Sequence, residues 1–361
     1  MTAPVADPVA QAKAAIEYCY EQGWTDGLPV VPAAAADIEA CLATTDHDAG
    51  EIIGSQPHLR RSITVAQAAA NAIMAGCKPE YFPVVLAAWT ALNLERASGG
   101  AWQSTSGPAP LIIVNGGVRS RLGVNYRGGV FGPGFRANAT IARAIGLMVR
   151  NGYGVRPQEL EQATQGLPGR WSICIGEHEE LSPWEPLSVV GGVPPGTDAV
   201  SAMLIRTCEY VDNRSTADAE AVLSDLADTL ARIGAYVGGP HSSGGLVLGP
   251  EHAQLLADAG YSRADAQQWL FEHAVRDRAD LVAAGKGEHA GTDVGGPPFA
   301  MMPSARDIPI IVAGAANAAM SMVFRPFGWA AWSGRTVPVE WRDAGCAADC
   351  AAGPSVRETE Q

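Results

Sequence analysis

The segment CIGEHEELSPWEPL, residues 174–187, gathers ionisable side chains in one place. Cys174 closes an apolar run, and Glu177, His178, Glu179 and Glu180 follow it. Pro183, Trp184 and Pro186 then stiffen the exit. Carboxylates crowded around one histidine raise one another's pKa, which makes a general acid or base workable near neutrality. A strand over 170–177 would set this cluster at its carboxyl end, where open α/β sheets bind ligands. Alternation along an extended chain predicts that Glu177 and Glu179 share one face and that His178 and Glu180 share the other. Glu177 is the expected general base, with His178 and Glu179 as further acid–base groups. Cys174 is the expected thiol participant, and Trp184 a wall of the site. The competing reading is a solvated acidic turn.

A second constellation is VRSRLGVNYRGGVFGPGFRANAT, residues 118–140. Its glycines permit close backbone approach, and a helix is predicted to begin near Asn138. A helix N-terminus with arginine forks suits an anionic ligand. Arg136 is the expected carboxylate clamp, Arg143 a second fork, and Asn115 and Asn138 polar positioners. Asn125 and Tyr126 complete the expected binding residues. The loop is neither a phosphate-binding Gly-Lys-Ser/Thr loop nor a dinucleotide fingerprint, because the spacings differ. The competing reading is an ordered glycine-rich loop whose arginines pair with abundant Asp and Glu.

The remaining cysteines and histidines carry weaker signals. Cys77 follows an Ala-Gly helix end, and Cys346 and Cys350 supply half of a tetrahedral zinc set. His241 sits in GGPHSSGG and His252 at a helix start, where the neutral form is favoured. A metal site built from Glu177, His178 and Glu179 or His241 stays open as a further reading. No cofactor is required by the sequence. The common nucleophile-elbow and zinc-protease motifs are absent.

These residues need a scaffold, and the chain is long enough to supply one. Its 361 residues are 47% apolar, with a net charge of −13 and no basic run. That composition argues against nucleic acid or an anionic membrane as partner. The polar, alanine-rich start and the interrupted apolar runs predict neither leader nor membrane span, hence a cytoplasmic protein. Seven scattered cysteines fit reduced thiols.

Helices are predicted over 8–23, 64–76, 79–94, from about 138, over 216–235, and in PEHAQLLADAG and SRADAQQWLFEHAV. Strands are predicted at 110–117, 170–177, 186–190, 200–211, in GGLVLG, in DIPIIVAGAAN and in MSMVFRPF. The expected fold is α/β, with mixed or parallel sheets flanked by helices. An echo is visible between the helix pairs before PLIIVNGG and IPIIVAGAAN. Two similar halves would produce it, and so would chance among alanine-rich helices. The expected organisation is 1–195, 196–335 and a mobile tail at 336–361, in a homo-oligomer.

Longer stretches carry a resemblance. They are DGLPVVPAA (26–34), AIMAGCKPEYFPV (72–84), IVNGG (113–117), FGPGFRANATIARA (131–144), CIGEHEELSPWEPLS (174–188) and LGPEHA (248–253). Over roughly residues 17–325 the chain resembles a bacterial family associated with short proteins bearing a Sec/Cys-Gly-Ser-Cys motif. The resemblance implies a small thiol or selenol protein as partner, similar to the thiol or selenol component of glycine-reductase-type systems. It implies chemistry at a carbon–heteroatom bond. This chain departs from the family pattern at His178, where asparagine is usual, at Gly117 for proline, and at Ser188 for histidine.

The expected activity is lyase- or hydrolase-like making or breaking of a carbon–heteroatom bond in a small anionic molecule. The competing expectation is a non-catalytic subunit that presents a substrate to a thiol-bearing partner.

Overall fold

The computed structural model describes residues 7–94, 101–168, 173–236, 243–290, 294–327 and 335–342. His241, Cys346, Cys350 and the start of the expected 170–177 strand lie outside them. Helix α1 (Pro8–Glu21) begins where the Asp7 carboxylate accepts from Val9 N–H. After α2 (Ala35–Leu42), strands β1 (Ile52–Gln56) and β2 (Arg61–Thr64) form a hairpin that the sequence reading did not anticipate. Helix α3 (Val65–Ala75) starts in a Thr64–Gln67 capping box and ends at Gly76, whose φ of 97° favours glycine. Helix α4 (Phe82–Asn93) follows Pro79, and β3 (Ala109–Asn115) is buried throughout.

The Gly/Arg segment contains a short helix, α5 (Val118–Leu122). It leads into α6 (Arg136–Leu147), which continues as a π-helical turn over Met148–Gly152. Then come β4 (Cys174–Gly176), α7 (Leu187–Val190), β5 (Ala199–Asp212), α8 (Ala219–Leu230) and β6 (Gly245–Leu248). Helices α9 (Pro250–Asp258) and α10 (Arg263–His273) precede the small pair β7 (Val275–Arg276) and β8 (Phe299–Ala300). Strands β9 (Ile310–Val312), β10 (Met320–Pro326) and β11 (Thr336–Pro338) complete the fold.

Seven strands form one mixed sheet in the order β4-β3-β5-β10-β6-β9, with β11 also pairing to β5. The pairs β3–β4 and β6–β9 are parallel, and the other pairings are antiparallel. The six-strand order reads alike from either end: β3, β4, β5 repeat as β6, β9, β10 about the central β5–β10 pair. Register agrees, since Val114 pairs with Gly176 and Leu248 with Val312. Glu177 N–H donates to Val114 O (3.1 Å), and Ala313 N–H donates to Leu248 O (3.0 Å). Asn115 therefore corresponds to Gly249, Glu177 to Ala313 and His178 to Gly314. The sequence echo matched different strands, aligning the segment before β3 with that before β9. The sheet instead equates β3 with β6, because sheet position depends on pairing partners and not on the preceding helices.

Alternate strand residues sort into two layers. Ile112, Val114, Cys174, Val200 and Leu204 face α3, α4 and α6, while Leu246, Leu248, Ile310 and Val323 face α8, α9 and α10. The opposite set, Leu111, Ile113, Ile175, Met203, Val247, Ile311 and Phe324, forms one buried cluster closed mainly by the sheet itself. The sheet is therefore curled, and its two edges meet where His178 N–H donates to Val312 O (2.7 Å).

Two expectations change. Residues 187–190 are helical, because Pro186 sets the turn and Leu187 N–H is held by the Glu177 carboxylate and not by a strand partner. Within the expected tail, β11 pairs with Ala199–Ser201, Val339 is buried, and the Trp341 indole donates to Asp198. No helix among the described residues is long and apolar enough to cross a membrane.

Candidate functional site

At the mouth of the curled sheet, the carboxyl ends of β3 and β4 bring Asn115 and Glu177 together on the inner face. Alternation from Ile113 and Ile175 dictates this, since both side chains continue the inward set. Asn115 Nδ2 donates to Glu177 Oε2 (2.7 Å) and to Glu179 Oε1 (2.9 Å). Gly116 N–H donates to the same Glu179 oxygen (2.8 Å), and Leu187 N–H donates to Glu177 Oε2 (2.7 Å). The two glutamates thus share one asparagine, in keeping with the expected common face.

Arg119 binds the outer side of this cluster. Its guanidinium pairs with Glu179 (3.1 Å) and Glu180 (3.0 Å) and donates to the main-chain carbonyl of Glu177. Burial pushes the Glu180 carboxyl up, but the Arg119 hydrogen bonds outweigh it and hold that carboxyl below its ordinary range. Arg119 also lies 4.6 Å from the Tyr126 ring centroid. Tyr126 in turn meets His178 edge-on, with ring centroids 5.1 Å apart. His178 points away from the carboxylates, its Nδ1 lying 3.2 Å from Gly314 O. Glu177, His178 and Glu179 do not converge, and no metal-holding group of three His, Cys, Asp or Glu is found among the described residues.

Glu177 has no solvent exposure. Burial pushes its carboxyl above the ordinary range, against the pull of Arg263 and the Asn115 hydrogen bond. Arg263 Nη2 lies 3.5 Å from Glu177 Oε1. Among the described residues, none of the nitrogens Nε, Nη1 and Nη2 of Arg263 has a hydrogen-bond partner, and neither do Glu177 Oε1 and Asn115 Oδ1. Arg263 is 7% exposed, so this is a buried ion pair without a hydrogen bond between its members. Trp184 stands beside them, its ring centroid 5.9 Å from the guanidinium and its indole donating to Tyr261 O (3.1 Å).

The sequence reading missed Arg263. Ser262 and Asp265 form a capping box, which puts Arg263 in the first turn of α10. A cation there opposes the helix dipole. That local conflict was the signal available.

The other expected residues lie elsewhere. Cys174 belongs to the helix-facing set, on the opposite side of the sheet from Glu177, and burial pushes its thiol well above the ordinary range. Asn138 is committed to structure: its Nδ2 donates to Asn125 O (3.0 Å) and Cys174 O (2.9 Å), and its Oδ1 accepts from Asn125 N–H (2.7 Å). Asn125 folds its own turn, bonding Gly128 O and Arg127 N–H. Arg136 caps the end of α3 through Gly76 O (2.8 Å) and does not reach the Glu177 cluster. Arg143 grips the Asp26 carboxylate with two bonds of 2.9 and 2.8 Å, and also Leu28 O and Pro29 O. It fixes the DGLPVVP segment. His252 bonds Ser321 Oγ (2.8 Å) and Asn213 O (3.0 Å), tying α9 to β10.

At the equivalent mouth of the second half, Gly249 and Ala313 replace Asn115 and Glu177. With the loop 128–132 they line a cleft of about 340 Å³. One mouth is polar and closed, the other apolar and open. Comparison with protein-family models, with curated proteins and with solved structures finds no match to this chain.

Proposed function

We propose that the chain is a small-molecule enzyme that makes or breaks a carbon–heteroatom bond in an anionic substrate, with Glu177 as its acid–base group. The observation that carries this reading is the buried Arg263 guanidinium, ion-paired with Glu177 Oε1 at 3.5 Å while no hydrogen bond engages its nitrogens among the described residues. Leaving buried donors unpaired costs about 1–3 kcal/mol each, a cost that an anionic ligand removes. Arg263 takes the clamp role that the sequence reading gave to Arg136.

An anion at Arg263 neutralises the cation that favours ionised Glu177, so ligand binding favours the protonated carboxyl. Glu177 then protonates the heteroatom as its bond to carbon breaks. A water molecule that enters with the substrate adds to that carbon and returns a proton to the Glu177 carboxylate, and Asn115 and Leu187 N–H hold its other oxygen in place. Trp184 shields the pair from water. The segment 181–186 must lift for entry, because Glu177 has no exposure in the closed state.

A second reading, a binding subunit for a thiol-bearing partner, draws on one observation. Cys19, Cys41, Cys77 and Cys174 are buried, and burial raises their thiols, those of Cys41 and Cys77 to about 12. A thiol in the reaction would have to come from outside these four residues.

Small carboxylates titrated calorimetrically against the wild type, Arg263→Gln and Glu177→Gln test both readings. Arg263→Gln should weaken binding at least about tenfold. Glu177→Gln should keep binding and lose conversion of the bound compound, followed by NMR. Conversion that survives in Glu177→Gln defeats the acid–base role. Conversion only with an added thiol selects the second reading.

A further inference from the structure

The motif at 26–34, the helix before Cys77 and the π-helical turn are not used by the Glu177 cluster. They meet around a separate cavity of about 280 Å³. Trp24, Ile38 and Met74 give it apolar walls, and Gln67, Asn71 and Asn151 give it amides. Among the described residues no charged side chain lines it.

The orientations of these amides are fixed by their neighbours. Asn71 Nδ2 donates to the main-chain Gln67 O (2.8 Å), which can only accept. Asn71 Oδ1 must therefore accept from Asn151 Nδ2 (2.8 Å). The same Nδ2 donates to Trp24 O (3.0 Å), again an obligate acceptor. Asn151 Oδ1 is left over, buried and without a hydrogen-bond partner among the described residues. Gln67 Oε1 accepts from Thr64 N–H (2.9 Å) to close the cap of α3, which leaves its Nε2 uncommitted among the described residues. Asn151 itself sits in the π-helical turn, a geometry frequent at functional sites.

We propose that this cavity binds a small uncharged molecule with a planar apolar body and an amide or lactam edge. The ligand N–H meets Asn151 Oδ1, its carbonyl accepts from Gln67 Nε2, and its ring lies against Trp24. A carboxylate is rejected, because the buried partner is itself an acceptor and no cation lines the wall. An ammonium finds no counter-charge.

Calorimetry with benzamide and acetophenone tests this. The two share size, ring and carbonyl, and only benzamide has the N–H. Benzamide should bind the wild type with a dissociation constant near 1 mM or tighter, and acetophenone about tenfold more weakly. Ala70→Leu, which adds bulk at the cavity wall, should weaken benzamide about tenfold with an unchanged unfolding midpoint. Equal binding of the two probes overturns the proposal, as does benzamide binding unaffected by Ala70→Leu. No benzamide binding at all means the cavity holds water only, and overturns it too. If Ala70→Leu does not fold, the comparison of the two probes on the wild type still decides.

Discussion

Glu177 is held by three opposing influences: burial, a guanidinium beside it and two N–H donors on one oxygen. Burial wins, so its carboxyl is raised above the unfolded value. The folded state therefore binds this proton more tightly than the unfolded chain does. The stability it contributes is complete below the unfolded carboxylate range and is lost as pH rises through the raised value. Denaturant unfolding at a series of pH values should show that downward slope in the wild type. Glu177→Gln cannot ionise and should lose that component of the slope. An unchanged slope in the variant would place the titration on another group. Arg119 illustrates the opposite case, a buried cation with carboxylates and carbonyls around it.

At the scale of elements, the loop 118–135 owes its shape to Asn138. This side chain fastens the turn at Asn125 to β4 from the first turns of α6. Asn138→Ala would leave Asn125 N–H and Cys174 O unpaired in a buried place, while Asn125 O keeps its bond from Gly176 N–H. A loss of about 3 kcal/mol is expected, read as a lower denaturation midpoint. A loss below about 0.5 kcal/mol would mean that water replaces the amide. Helix boundaries were legible in the sequence wherever a cap fixed them, as at Thr64, Ser262 and Gly76. Strand β5 was legible because its run is long, and α7 was misread because four residues after a proline carry no period. Asn115 and Glu177 were found because strand alternation is local. Arg263 was not, because its meeting with Glu177 depends on how α10 docks across the sheet mouth.

For the molecule as a whole, the palindromic strand order shows how one sheet serves two halves. The β5–β10 pair joins them through main-chain ladders, so neither half has a free inner edge at the join. The repeat was hidden in the sequence, because corresponding positions such as Asn115 and Gly249 share place and not chemistry. At the far edges, among the described residues, the strand ends meet through His178 N–H to Val312 O, assisted by the His178 ring and by Gly314 N–H to Tyr126 O beside it. The residue that makes the first bond follows Glu177 directly. Time therefore enters the reactivity of the buried acid. Under the proposed function its exposure is an intermittent event, set by how often segment 181–186 lifts and the seam beside it parts. Hydrogen exchange should find the His178 amide trading its proton well before those of Ile112 and Ile113 in β3. Equal protection would mean that the ring opens only when the whole fold does.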